Sequence, residues 1–202
     1  MTEMQQNTKK KVEIDFMYID LEVCTRCMGT DDNLDKALQT VRSVLEAAGA
    51  EVTVRKTLID SESKALELEF VSSPTIRVNG QDVALELRES VCESCGEASG
   101  GDQPVDCRVW VYQGKEYTVA PVPMIVDAIL AATYGAQAGQ PVPRTAESVP
   151  ENLKRFFAAK ASNATSSCCS TQAQTSCCEP AQKSTCCSPA AEVAQPSGCG
   201  CR

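Results

Sequence analysis

The sequence contains no histidine, and none of its apolar runs is long enough to cross a membrane. Without histidine the chain cannot build a Ser-His or Cys-His nucleophile, nor a metal site that uses an imidazole ligand. Crossing a bilayer takes roughly 20 apolar residues, and the N-terminal stretch VEIDFMYIDLEV carries acids where a signal peptide needs an unbroken apolar core. We therefore expect a cytoplasmic protein with no membrane partner.

A stripe of basic residues is missing as well. The 202 residues carry a net charge of −8, and the basic run Lys9–Lys11 is too short to follow a phosphate backbone. The composition therefore predicts no nucleic-acid partner.

Cysteine, by contrast, is abundant, with thirteen residues in the chain. The cytoplasm keeps thiols reduced, so cysteines there serve as metal ligands or redox groups more often than as a disulfide framework, and the odd count points the same way. Any chemistry of this chain has to use sulfur, carboxylate, amine or backbone groups.

The first two-thirds of the sequence, residues 11–134, predicts one α/β domain with the order β-α-β-α-β-β, a hairpin and a last helix. The predicted elements are a strand at 11–20, a helix with its apolar stripe at Leu34, Leu38, Val41 and Leu45 that ends before Gly49, a strand at 51–59, a helix at 61–70 opened by Ser61, a hairpin at 74–87 turning at Asn79-Gly80, a loop at 88–106, a hairpin at 108–119 turning at Gln113-Gly114, and a helix from Pro123 with Ile125, Ile129 and Ala132 on its apolar face.

The flanking segments have a different character. Residues 1–10 predict a flexible N-terminus, and 135–161 a linker whose short helix at 150–160 shows Leu153, Phe156 and Phe157 on one side. That helix is either a clasp against the domain or a patch for a partner. Residues 162–202 have no aromatic and few aliphatic side chains, so we expect a disordered tail.

The first group of thiols is the CxxC pair Cys24 and Cys27, between the first strand and the first helix. Such a pair suits redox chemistry, with Cys24 as nucleophile, Cys27 as resolving thiol and Arg26 as a cation that favours the thiolate. Nearby acids oppose this, and Thr30 reads as the cap of a helix that begins only after Cys27. The alternative is a structural pair of buried cysteines.

The second group is Cys92, Cys95 and Cys107, in the predicted acidic loop. Three such thiols would form a trigonal sulfur site for a soft ion, or a four-thiolate zinc site if one more sulfur came from elsewhere. Cys27 and Cys92 stand 65 positions apart, where a zinc ribbon expects about 15–20, so the two CxxC pairs do not read as a ribbon. A structural zinc that staples the loop remains an equal alternative.

The third group lies in the tail, where adjacent pairs begin at 168, 177 and 186 with a constant period of nine. Adjacent Cα atoms are about 3.8 Å apart, below the roughly 4.4 Å at which unstrained disulfides begin, so both sulfurs of a pair stay available. One alternative is a fortuitous low-complexity tail, but a constant period argues against chance. The other is acylation of the cysteines, but the tail has few of the flanking basic residues that acylation would profit from. The predicted tail ligands for a metal or metalloid are Cys168, Cys169, Cys177, Cys178, Cys186, Cys187, Cys199 and Cys201.

The element order, the CxxC after the first strand and the stretch SSPTIRVNG resemble the thioredoxin and glutaredoxin fold, which implies a cis proline at Pro74 facing the CxxC. Residues 11–134 also resemble a family of small bacterial thioredoxin-like domains of unassigned function, often associated with arsenic or mercury resistance loci, through CTRCMGT, CESCG, DCRVWVYQG and a closing helix of the type MIVDAIL. The vicinal pairs are similar in kind to those of arsenical metallochaperones.

The resemblance implies an α/β, thioredoxin/glutaredoxin-like fold with a Cys-containing loop and an extra hairpin inserted before the last helix, followed by the tail. We expect a thiol-based carrier or scavenger of a soft metal(loid) ion, As(III), Hg(II), Cu(I) or Zn(II), that passes ions between tail pairs and domain cysteines and needs no organic cofactor. A metal-export pump, a metal-responsive regulator or a cellular dithiol reductant would be its partner.

Two further hypotheses remain. One is a thiol-disulfide oxidoreductase or arsenate-type reductase that uses Cys24 and Cys27, with the backbone at Pro74 as the substrate platform. The other is a purely structural zinc protein with an adhesive tail.

Overall fold

The computed structural model describes residues 10–99, 104–135 and 148–166. Its strands are β1 (Lys11–Tyr18), β2 (Glu51–Leu58), β3 (Thr75–Val78), β4 (Gln81–Asp82), β5 (Arg88–Cys92), β6 (Val105–Tyr112) and β7 (Lys115–Tyr117). Its helices are α1 (Thr25–Ala47), α2 (Glu62–Glu67), α3 (Glu93–Ala98), α4 (Val122–Tyr134) and α5 (Glu151–Ser166). The predicted mixed α/β class is confirmed, and no helix in the described ranges is long and apolar enough to span a membrane.

The strands form two sheets that meet at β6. The first has the order β2-β1-β3-β4, with β1 parallel to β2 and antiparallel to β3, and the second is the antiparallel set β5-β6-β7. A backbone hydrogen bond from Arg108 N to Ser73 O, 2.7 Å long, joins β6 to the chain just before β3. Residues distant in sequence therefore meet at the end of β1.

One hydrophobic core lies between the first sheet and helices α1 and α4. Val12, Ile14 and Phe16 alternate along β1 and are buried in this core, as the period of two in a strand requires. The predicted stripe of α1 is confirmed, with Leu34, Val41 and Leu45 buried and Leu38 partly buried. In α4 the buried residues Ile125 and Ile129 complete this core.

A second core contains the five cysteines of the domain. Met17 and Ile19, next to the residues of β1 that enter the first core, pack here with Phe70. Helix α5 adds its predicted apolar side, Leu153, Phe156 and Phe157, all of which are buried. The clasp interpretation of this helix thus fits the structure, because α5 packs in the same core as the thiols.

The structure differs from prediction most between residues 88 and 106. The sequence, rich in Gly, Ser and acids, predicts a loop there, but the chain forms β5, paired with β6, followed by α3. Tertiary contacts override the local composition because Cys92 and Cys95 behave as small apolar residues and are buried. Smaller corrections concern β4, which has only two residues, and α5, which continues to Ser166 beyond the predicted tail boundary.

Candidate metal centre

Helix α1 begins at Thr25 with Cys24 as its N-cap, so the prediction that it starts after Cys27 with Thr30 as cap was wrong. The Cys24 Sγ accepts a hydrogen bond from the Cys27 backbone N–H at 3.4 Å. Gly29 and Thr30 lie inside the helix and contact the chain before α4. A Cβ on Gly29 would lie only 2.9 Å from the Val119 side chain, and Thr30 Oγ1 accepts a hydrogen bond from the Ala120 N–H. Cys24 therefore sits where the helix amides favour a thiolate.

Asp20 shapes the turn that leads from β1 to Cys24. Its Oδ1 accepts the backbone N–H groups of Glu22 and Val23, each at 2.7 Å, while Oδ2 lies 3.3 Å from Lys160 Nζ of α5. Burial acts to raise the pKa of Asp20, but these hydrogen bonds and the lysine outweigh it, so the pKa is lowered. The carboxylate thereby joins the turn before Cys24 to α5.

Arg26 joins the start of α1 to the second sheet. Its guanidinium donates to the carbonyl oxygens of Val91 at 2.6 Å, Cys107 at 3.2 Å and Ser90 at 3.3 Å. These bonds hold the N-terminus of α1, and with it Cys24, against β5 and β6. The sequence identified Arg26 as a cation that activates the thiols, but its described hydrogen bonds go to backbone carbonyls and to the Ser90 hydroxyl.

The other cysteines of the centre come from the second sheet and α3. Cys92 is the last residue of β5 and the N-cap of α3, Cys95 lies within α3, and Cys107 is on β6, one strand across. A hydrogen bond from the Thr25 N–H to Ser94 Oγ, 3.2 Å long, fixes α3 beside α1. Three separate stretches of the chain thus deliver four thiols to one point.

The sulfurs of Cys24, Cys92, Cys95 and Cys107 all lie within 4.8 Å of one another, and all four residues are buried. A tetrahedral zinc site with Zn–S bonds near 2.3 Å has sulfurs about 3.8 Å apart, so this set has the dimensions for one ion. The sulfurs of Cys95 and Cys107 lie 3.2 Å apart. The additional sulfur that a four-thiolate site required is Cys24.

The protons of this cluster are distributed unevenly. Hydrogen bonds from neighbouring thiols, that of Cys107 first, lower the pKa of Cys24, and the contact with Cys107 lowers the pKa of Cys92 to about 6. Hydrogen bonding to Cys24 raises the pKa of both Cys27 and Cys107. The hydrogen bond with Cys107 acts to lower the pKa of Cys95. Hydrogen bonds with Cys24 and Cys92, together with burial, outweigh it, so the pKa of Cys95 is raised. The thiols titrate as a group, with the pKa lowered at Cys24 and Cys92 and raised at Cys27, Cys95 and Cys107.

Cys27 lies beside the cluster rather than in it. Its Sγ is 3.3 Å from Ser73 Oγ, and that hydroxyl accepts the Ile19 N–H at 3.2 Å. The peptide bond between Ser73 and Pro74 is cis, as the resemblance implied. The three residues predicted as catalytic are therefore near one another, but Cys24 belongs equally to the four-sulfur set. The eight predicted tail ligands, from Cys168 to Cys201, lie outside the described residues.

These features define a mixed α/β protein with a candidate four-cysteine metal centre. The chain belongs to the family described as a domain of unknown function (DUF2703), whose model matches residues 12–129. That range contains all five cysteines of the second core. No curated protein and no solved structure matches the chain.

Proposed function

We propose that the protein is a cytoplasmic carrier or scavenger of a soft metal(loid) ion, held in the domain by Cys24, Cys92, Cys95 and Cys107. The observation that supports this is the convergence of four buried sulfurs within 4.8 Å. Free cysteine is often buried as a small apolar residue, but burial alone does not bring four thiols from three chain segments to one point.

The donor set limits the ion. Thiolates select soft ions, and the described cluster offers neither carboxylate nor imidazole. Four sulfurs at these separations suit tetrahedral Zn(II) or a similar ion, whereas three of them would suffice for As(III). Hg(II) and Cu(I) share the preference for sulfur and complete the candidate cargo. No organic cofactor is part of the proposal.

The proposed fold is thioredoxin-like. The order β2-β1-β3-β4, a CxxC at the start of α1 and a cis proline before β3 support it. With the resemblance to domains associated with arsenic or mercury resistance loci, this assignment favours a role in handling a toxic soft ion. A metal-export pump, a metal-responsive regulator or a dithiol reductant is then the expected partner.

Helix α5 supports a link between the domain and the tail. It packs over the second core and ends at Ser166, two positions before the first tail pair at Cys168. A short tether gives an effective concentration in the millimolar range, so tail pairs would exchange an ion with the centre by thiolate substitution. In this account the tail captures the ion and the domain holds it.

Native mass spectrometry of the reduced full-length protein tests this function. A variant with the eight tail cysteines replaced by serine, here termed the eight-serine chain, isolates the domain site and leaves α5 whole. We expect it to bind one ion when titrated separately with As(III), Hg(II), Cu(I) and Zn(II), and the full protein to bind several.

Two single substitutions in the eight-serine chain assign the ligand. Cys24→Ser should weaken binding by more than the roughly 10–100-fold that loss of an outer-shell partner costs, because a direct ligand is removed. Cys27→Ser, a matched control three residues away, should bind with unchanged stoichiometry. Binding of none of the four ions by the eight-serine chain would contradict the proposal.

A second candidate is a thiol-disulfide oxidoreductase or arsenate-type reductase. The position of Cys24 at the N-cap of α1, with its lowered pKa, favours it, because a stabilised thiolate is the attacking group in such enzymes. Cys27 would resolve the intermediate, and the backbone at Pro74 would hold the substrate. The same variants separate the functions: dithiol-dependent turnover that is lost with either Cys24→Ser or Cys27→Ser, in a chain that binds no ion, would establish the enzyme instead.

A further inference from the structure

Cys27 is a fifth buried thiol that the four-sulfur centre does not use. Its side chain hydrogen-bonds to that of Cys24, and its backbone N–H donates to the Cys24 Sγ. On its other side the Cys27 Sγ meets the Ser73 hydroxyl at 3.3 Å and the backbone of Asp20. A bound ion would therefore hold Cys24 and leave Cys27 a free thiol in contact with one of the ligands.

Cys24 thus belongs to two arrangements that exclude each other. It can bind an ion together with three other sulfurs, or it can form a disulfide with Cys27 across the CxxC turn at the start of α1. A disulfide sulfur is no longer a thiolate and loses its affinity for the ion, because the thiolate is the metal-binding form. Oxidation of this pair would reduce the centre to three ligands.

We propose that the pair Cys24 and Cys27 is a peroxide-responsive release site, at which oxidation by a hydroperoxide forms a disulfide, removes one of the four ligands and frees an ion that all four sulfurs hold, such as Zn(II). This inference rests on the proposed function.

The reaction has two steps. The Cys24 thiolate attacks one peroxide oxygen, the O–O bond breaks, and hydroxide and a sulfenic acid form, with the oxidised Cys24 still beside the ion until the second step. Cys27 then attacks the Cys24 sulfur; the S–O bond breaks, the thiol proton of Cys27 leaves with the hydroxyl group as water, and the S–S bond forms. The two sulfurs give up two electrons and the peroxide takes up two.

The main competitor is a bond between Cys95 and Cys107, whose sulfurs are only 3.2 Å apart. Both of these residues are ligands, so an ion in the centre occupies both sulfurs at once. The pair Cys24 and Cys27 contains only one ligand, and its second thiol is available as soon as the first is oxidised. The loaded centre should therefore oxidise at the CxxC.

The test uses the full-length eight-serine chain loaded with Zn(II), treated with hydrogen peroxide in the presence of a chromogenic zinc chelator. Cys27→Ser in the same chain is the comparison, and its zinc stoichiometry is measured before oxidation. We expect zinc release at least about tenfold faster from the chain with Cys27, because the neighbouring thiol acts at the effective concentration of a tethered group. Peptide mapping should locate the disulfide between Cys24 and Cys27.

The outcomes of this experiment distinguish failure of the release site from failure of the metal centre. Equal release rates from the two loaded chains, or a disulfide between Cys95 and Cys107 in the parent chain, would overturn the release site and leave the metal centre intact. An eight-serine chain that binds no zinc and none of the other three ions would overturn both. Peptide mapping needs no variant, so a Cys27→Ser chain that fails to fold does not remove the test.

Discussion

Single side chains decide where the Cys24 thiol stands, and Asp20 is the clearest example. It accepts two backbone N–H groups of the turn before Cys24 and pairs with Lys160, and it is almost fully buried. We expect Asp20→Asn to lower the free energy of unfolding at pH 7 by about 1.5–3 kcal/mol, the usual contribution of hydrogen bonds to a charged group. Asp60→Asn, at an exposed carboxylate, is the control and should change it by less than about 0.5 kcal/mol.

The effect of Asp20 should depend on pH with a defined sign. Because the pKa of Asp20 is lower in the folded protein, its stabilisation is fully present above the unfolded pKa of about 3.9 and is lost as the pH falls through the folded value. Denaturant unfolding from pH 7 to pH 2 measures this, with the difference between parent and Asp20→Asn shrinking only below about pH 4. A difference that stays constant across this range would show that the carboxylate charge contributes nothing.

Sequence patterns at single residues predicted the participants of the site better than their roles. Cys92, Cys95 and Cys107 were identified as a group of ligands, and the structure brings them together. The sequence groups Cys24 with Cys27, as a redox or ion-receiving pair, and not with Cys92, Cys95 and Cys107, because spacing along the chain gives no sign that Cys24 meets residues 68 and more positions away. The Arg26 side chain was expected to act on the thiols, and only the fold shows that it binds the carbonyls of β5 and β6.

Among the elements, α5 packs in the same core as the thiols, so we expect it to limit the access of reagents to them. Phe156 is buried in the second core, and substitution of a buried phenylalanine by alanine costs about 3–5 kcal/mol in packing. In the reduced eight-serine chain without metal, we expect Phe156→Ala to speed modification of the domain cysteines by a thiol reagent at least about tenfold, because local opening exposes them.

The neighbouring exposed residue offers a matched control for α5. Arg155→Ala on the opposite side of the helix should leave the rate of thiol modification unchanged. Equal rates for the parent and Phe156→Ala would contradict the assignment of α5 as the cover of the centre, and circular dichroism of both variants checks that the domain remains folded.

Elements with a regular pattern were predicted well, and the element shaped by the site was not. The 3.6-residue stripe of α1 and the turns at Asn79-Gly80 and Gln113-Gly114 fix their structures locally. Residues 88–99 have no such pattern, since β5 exists through its pairing with β6 and α3 through burial of its cysteine. Tertiary contacts of this kind leave no periodic signal in the sequence.

At the scale of the whole molecule, the fold serves to bring distant segments together. The end of β1 and start of α1, the β5–α3 segment and β6 meet in the second core, and α5 closes over them. A centre assembled in this way exists only in the folded protein, so binding an ion should stabilise the fold. The chain outside the described residues adds further thiols to which the centre can be linked.

X-ray absorption spectroscopy at the zinc edge, on the eight-serine chain loaded with one equivalent of Zn(II), tests the four-sulfur centre most directly. The account predicts a single shell of four sulfurs at about 2.3 Å, and a shell of three sulfurs with one lighter atom when Cys24 is replaced by serine. A shell dominated by oxygen or nitrogen, or a spectrum unchanged by Cys24→Ser, would contradict it.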